Sequence, residues 1–368
     1  MTASNFCVAG FGEVMLRLSP PQAKRLTQTI PGKLEATFGG GEANVCASIA
    51  IMGGHSRFLT ALPDNPVSHA FANQMRGIGC DVDQIHYADI GRLGIYYTEH
   101  GSNMRSSAVF YDRNASTISI LKPQDYDFAA MLDGVTHLHL SGITPALSRN
   151  AFETTLALAE FAVGRSISIS VDLNYRKKLW NWEPGTSRNI LARRCMLELL
   201  SHADIIIGNE EDAADVFDIH AKDCSVESGH LSIGNYHDVA GHLSSMFPQV
   251  KLIAITLRES FSANHNNWGG MLYDCRTKAS CFAPLDANGQ YTPYQLHNIV
   301  DRFGAGDSFC AGLLFALNCG DFPTLESSLA FAAAASALKH TVSGDYNYVS
   351  ASEIKALMTG AISGRVRR

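Results

Sequence analysis

From His137 onward, short apolar runs alternate with longer stretches of helical periodicity, and that alternation limits what this chain can fold into. His137–Leu140 reads as a strand, followed by the turn Ser141-Gly142-Ile143-Thr144-Pro145 and a helix from Ala146 to Val163. Ser166–Asp172, Ala203–Gly208, Lys251–Thr256 and Gly270–Asp274 read as further strands, and helices follow Asp307 and span Leu325–Lys339. Apolar strands separated by helices predict an α/β fold with a mostly parallel central sheet covered on both faces. Ligands in such folds sit beyond the carboxyl ends of the strands, and Asn174–Arg176 and Asn209–Asp212 occupy two of those ends. At 368 residues and 46% hydrophobic, the chain can bury one large core or two modest ones.

Chemistry concentrates in Asp301-Arg302-Phe303-Gly304-Ala305-Gly306-Asp307-Ser308-Phe309. Apolar residues then recur at largely helical spacing up to Gly320, so the stretch reads as a tight glycine turn entering a buried helix. Without a Cβ, Gly304 and Gly306 let backbone N–H groups approach a ligand closely, at the helix end that favours an anion such as phosphate. A carboxylate at Asp307 opposes an anion unless it does chemistry as a base or near a metal ion. The combination predicts phosphoryl transfer, with Asp307 taking a proton from a hydroxyl and the amides of Gly304, Ala305, Gly306 and Asp307 holding developing charge. An ordinary helix start with an acidic first turn is the plainer alternative. The chain has no P-loop motif, and Gly304-x-Gly306-x-x-Phe309 lacks the third glycine of a dinucleotide fingerprint.

Composition narrows the class further. A net charge of −6 with no basic stripe argues against nucleic acid as a partner, and no apolar run approaches the length of a membrane span. The N-terminus has no basic leader, and the nine cysteines are scattered without a Cys-x-x-Cys. A cytoplasmic location is expected, with the cysteines as buried free thiols.

Phe6–Leu18 reads as one strand; its Gly10-x-Gly12 mimics a dinucleotide site but leads into another apolar run. Phe38-Gly39-Gly40-Gly41-Glu42-Ala43-Asn44-Val45 precedes a helix ended by Gly53-Gly54. Its glycines form a flexible loop or let a substrate lie against the backbone, with Asn44 able to donate and accept. Arg92–Glu99 and Ser107–Asp112 form a predicted hairpin standing off the main sheet, with Tyr96 and Tyr97 on opposite faces and Tyr111 and Arg113 on one. His137 and His139 share a strand face; with no third ligand nearby, packed and hydrogen-bonded histidines are expected over a metal pair. Asn209-Glu210-Glu211-Asp212 reads as a helix cap with an acidic first turn.

Asp-x-x-Gly-Ala-Gly-Asp-x-Phe resembles the C-terminal signature of the ribokinase-like (PfkB) carbohydrate kinases, with Arg302 and Phe303 departing at positions that carry no chemistry. Phe38–Val45 resembles that family's N-terminal sugar-pocket signature. The resemblance implies a single ribokinase-like domain over 1–365 with a β lid built from about 14–38 and 91–119, lids of a kind that pair between subunits. It implies ATP bound near Asn209, Thr256, Arg258, Gly304 and Gly306, with Mg²⁺ reached through water by Glu210 and Asp212; the last replaces the family's usual Glu. Thr256–Gly270 departs from the shorter glycine-rich turn that normally borders the nucleotide. Gly94-Ile95-Tyr96, Val109–Arg113, Leu138–Leu147 and Asp172–Arg176 resemble the 2-keto-3-deoxygluconate kinases within the superfamily. In that branch Gly40, Tyr96, Tyr111, Arg113 and Arg176 match the substrate pocket, and Asn44 is placed in it by the family-wide N-terminal signature. A sugar acid needs a cation, and a guanidinium buried beside a neutral sugar with no carboxylate is costly. Arg113 and Arg176 therefore predict a keto acid as substrate. Fructose, ribose or another deoxy-keto acid, a non-catalytic nucleotide-binding regulator on the same fold, and more remotely a dehydrogenase are the competing readings.

Overall fold

The computed structural model describes residues 6–209, 211–220 and 233–360. Six parallel strands form the middle of the large sheet, in the spatial order Leu252–Ser262, Ile205–Asn209, Ser168–Asp172, His137–Ser141, Cys7–Phe11, His55–Leu59. Beyond Leu252–Ser262 the sheet turns antiparallel through His265–Asp274, which pairs with both Ala279–Ala283 and Tyr294–His297. Successive side chains point to opposite faces, and the strands are apolar on both. Ile206, Ile253 and Ile255 pack into the core layer with Leu158, Leu191 and Leu243. Their neighbours Ile205, Ile207 and Ala254 pack into the other layer with Ile49, Phe309, Leu313 and Phe331. The mostly parallel sheet covered on both faces is thus present, and the fold is ribokinase-like.

The predicted N-terminal strand is two strands. Cys7–Phe11 lies in the large sheet, whereas Met15–Ser19 belongs to a separate four-stranded sheet with the order Glu35–Gly39, Met15–Ser19, Gly94–Glu99, Ala108–Asp112. The break falls at Gly12, where a Cβ would stand 2.1 Å from the Glu42 carboxylate. Only glycine passes that helix start, and the apolar run therefore changes sheets. The predicted hairpin closes antiparallel, with Tyr96 opposite Tyr111 and Tyr97 opposite Phe110.

Other boundaries moved for local reasons. The helix expected from Ala146 starts at Arg149, because Ser148 Oγ accepts from Ala151 N at 3.0 Å and caps it. The strand expected to stop at Thr256 continues to Ser262 and returns from His265. His137 and His139 are both buried and both bond Ser170 Oγ at 2.9 Å. Burial pushes their imidazoles down to about 4 and about 3, leaving them neutral packing groups. Among the described residues no helix is long and apolar enough to cross a membrane, and every cysteine is free.

Candidate active site

Asp172, Asn209 and Thr256 end up at one rim of the sheet because their strands pair in register, Asn209 directly opposite Thr256. Above that rim the helix Ala305–Cys319 begins. Gly304 caps it in the left-handed region at φ +77, and a Cβ there would lie 2.0 Å from the Asp345 carbonyl oxygen. Both conditions require glycine. Gly306 is different: a Cβ on it would meet nothing within 4 Å, because it faces the open cleft. The N–H groups of this first turn have no carbonyl partner within the helix; Ala305 N makes a long bond to Arg302 O at 3.4 Å, and those of Gly306 and Asp307 are placed to meet an anion.

Asp307 stands in that first turn, half-buried. Its Oδ2 accepts from Asn44 Nδ2 at 2.6 Å, and Asn44 Oδ1 accepts from Gly40 N at 3.2 Å, which orients the amide. Burial pushes the Asp307 carboxyl up to about 6, against the Asn44 hydrogen bond and the Arg176 charge that pull it down. Two cavities meet here. One is lined by Asn209, Asp212, Thr256, Arg258 and Arg302, the other by Glu13, Gly40, Tyr96, Tyr111 and Arg113. Asn174, Arg176, Phe303, Gly304 and Asp307 line both. All the predicted site residues that lie among the described residues are therefore gathered around one cleft, with Asp307 between its halves.

One of the predicted roles changes, that of Arg113. Glu210 lies outside the described residues. Asp212 is buried and its oxygens are already engaged, Oδ2 by Asn209 N at 3.0 Å and Oδ1 by Tyr175 N at 2.9 Å, while Asn209 Oδ1 accepts from Glu211 N and Asp212 N. Asn209 thereby caps the helix that Asp212 opens, Asp212 ties it back to Asn209 and to the Tyr175 loop, and no cluster of acidic, His or Cys side chains among the described residues is placed to grip a metal directly. Asp212 lines the cavity and each of its oxygens can accept a second hydrogen bond, which fits an ion carried by phosphates and reached through water. Arg113, lastly, is no free cation: its Nη2 bonds Glu13 Oε2, both side chains buried. The carboxylate that Arg113 needs is supplied by the protein itself, leaving exposed Arg176 as the cation of the predicted pair.

Sequence reasoning missed Glu13, Asp172 and Asp345, and it placed Asn174 at a ligand-side strand end without giving it a role. Asn174 adopts φ +37 and turns its N–H to Asp172 Oδ1 at 3.2 Å, a left-handed conformation that asparagine tolerates and that marks tight functional loops. Asp345 takes the Tyr96 hydroxyl on Oδ2 at 2.7 Å and Arg17 Nη1 on Oδ1 at 2.5 Å. Arg17 also donates from Nη2 to Asp301 Oδ2 at 2.9 Å, and Asp301 Oδ1 accepts from Phe303 N at 3.0 Å. A chain of charged bonds thus runs from the small sheet to the glycine turn. A lone charge inside each apolar run, Glu13 and Arg17, was the available signal.

A glycine-capped helix start with a raised carboxyl, on a ribokinase-like sheet between two joined cavities, defines a sugar-kinase architecture. The chain belongs to the pfkB family of carbohydrate kinases, whose model matches residues 7–230 and 277–351, and is a phosphotransferase with an alcohol group as acceptor. It is 28% identical over 354 residues to a 2-dehydro-3-deoxygalactonokinase of Haloferax volcanii, covering 96% of this chain and 97% of that one. The crystal structure of a 2-dehydro-3-deoxygluconokinase from Thermotoga maritima superposes with a TM-score of 0.86 at 37% identity, over 96% of this chain and all of that one. A fructokinase-2 of Solanum habrochaites is 24% identical over 97% of this chain and 98% of its own. The family match omits 231–276, which contains the long Leu252–Asp274 hairpin.

Proposed function

We propose that this protein is an ATP-dependent kinase that phosphorylates the terminal hydroxyl of 2-dehydro-3-deoxy-D-gluconate, giving the 6-phospho product, in the cytoplasm. The observation that carries the reading is the meeting of two cavities at Asp307. The cavity with Thr256, Arg258 and Arg302 suits a nucleotide and its phosphates; the one with Gly40, Tyr96 and Tyr111 suits a small polyhydroxylated chain. The acceptor hydroxyl lies at Asp307, whose carboxylate takes the proton as the oxygen attacks the terminal phosphorus and ADP departs. Asn44 holds that carboxylate in place, and the N–H groups of the Gly304–Asp307 turn meet the charge that develops on the phosphoryl oxygens. Asp212 would hold Mg²⁺ through water, and the ion when bound would neutralise charge on the transferred phosphoryl group.

The acid end of the substrate is read by Arg176, since Arg113 is already matched by Glu13. The names of the Thermotoga and Haloferax relatives support a keto-deoxy acid, and differ from each other in the epimer. One observation favours a second reading: a pocket whose buried arginine is neutralised from within also suits a neutral sugar, such as the one for which the fructokinase relative is named. Coupled ADP release with 2-dehydro-3-deoxygluconate, its galactonate epimer, fructose and ribose separates these. Turnover on the keto acids is expected, and turnover on fructose or ribose alone would reject the keto-acid reading.

We also propose a dimer through the small sheet. Leu16, Leu18, Ile95, Tyr97 and Phe110 share its outer face by register, and Phe110 is half-exposed there. An apolar sheet face of this kind is a self-complementary surface for a second copy.

A further inference from the structure

Two buried polar atoms beside the sugar-side cavity have no hydrogen-bond partner: Glu13 Oε1 and Arg113 Nε. Glu13 is 3% exposed and lines that cavity, and its other oxygen is held by Arg113 Nη2. A carboxylate oxygen removed from water and left without a donor is costly, so one that is kept calls for a use. The Arg113 guanidinium also lies over the Tyr111 ring, 5.3 Å from its centroid, so the ion pair is fixed from two sides. Paired with a guanidinium, the Glu13 carboxylate can only accept, and it repels a second carboxylate. Whatever it takes from the cavity is a hydroxyl, and the acid end of the substrate must point elsewhere.

We propose that Glu13 determines specificity: its Oε1 accepts a hydrogen bond from a secondary hydroxyl of the substrate, while Arg113 holds Oε2 and sets the orientation of the carboxylate. This rests on the keto-acid kinase reading above and adds to it the residue that reads the carbon chain. With the C6 hydroxyl at Asp307, the hydroxyls left to a six-carbon 2-keto-3-deoxy acid are those on C4 and C5. The C4 hydroxyl is the one at which the gluconate and galactonate epimers differ. Glu13 is thus the side chain that tells a hydroxylated carbon from a bare one.

The test measures kcat/KM by ADP release for the wild type and Glu13→Asp, with 2-dehydro-3-deoxygluconate and its 4-deoxy and 5-deoxy analogues. Glu13→Asp keeps a charge for Arg113 and withdraws the oxygen by one methylene. In the wild type, removing one of the two hydroxyls is expected to cost on the order of 10²-fold. In Glu13→Asp that penalty shrinks to within about threefold, because the residue no longer reaches the hydroxyl, while the KM for ATP stays unchanged. Should thermal melting show that Glu13→Asp fails to fold, the paired variant Glu13→Gln with Arg113→Gln, which removes both charges together, takes its place. A penalty of equal size in wild type and variant, or none in the wild type at either carbon, overturns the role of Glu13 and leaves the kinase reading intact. Turnover confined to neutral sugars rejects the keto-acid reading itself, and this inference with it.

Discussion

At Asp307 burial and local bonding pull in opposite directions. Desolvation favours the neutral acid, Asn44 and Arg176 favour the carboxylate, and the carboxyl settles at about 6. In the proposed mechanism the reactive form is the deprotonated one, so kcat/KM is expected to hold a plateau above that value and to fall about tenfold per pH unit below it. Asn44→Ala removes a bond that favours the charged form, so the acidic limb should move to higher pH; a limb that stays in place would separate Asn44 from the titration. Asp307→Asn should keep ATP binding by calorimetry and lose about 10²–10⁴-fold in turnover. Gly306→Ala probes the other half of the turn. A methyl there meets no protein atom and favours the helix by up to about 1 kcal/mol, so the melting temperature should hold or rise while turnover drops as the cleft is obstructed. Asp307 and Gly304 were legible because a glycine turn before a buried apolar helix has a local signature. Glu13 was not, because its meaning depends on an arginine far along the chain.

At the scale of elements, the small sheet is bolted to the glycine turn by Arg17. This guanidinium is 2% exposed and serves Asp301, Asp345, Ser19 and Thr98 at once. Burial opposes the charge on this guanidinium, but Asp345 and Asp301 outweigh it and hold the group firmly protonated. Arg17→Met would leave two buried carboxylates facing each other, for which about 3–5 kcal/mol of stability is the expected loss in urea unfolding. Tyr96 would lose its oriented acceptor as well, so the substrate KM should rise even where the variant stays folded. A loss within the scatter of surface substitutions would show that Asp301 and Asp345 find other partners. The long hairpin shows why elements outrun their sequence signals. Arg258, Glu259 and Ser260 pair with Trp268, Asn267 and Asn266 through the backbone, and a ladder needs no apolar side chains where the strands leave the core. The apolar pattern therefore ended at Thr256 while the strand did not.

For the whole molecule, the dimer proposed above would form through the outer face of the small sheet. Phe110→Asp together with Tyr97→Asp should convert a dimer to a monomer in light scattering and leave the large sheet's unfolding cooperative; a native protein that is already monomeric would remove the proposed interface. The sequence by itself determined the covered parallel sheet, the helices that flank it and the glycine turn with its carboxylate, because spacing and turn chemistry act over a few residues. Only the tertiary structure decided how the charges are matched. Asn44 meets Asp307 across 263 positions, Arg113 meets Glu13 across 100 and Arg17 meets Asp345 across 328. Nothing in local spacing encodes which buried charge will neutralise which. That is settled when the two sheets close on each other and water is expelled, and it turned an arginine that looked free to read an acid into one already answered from within.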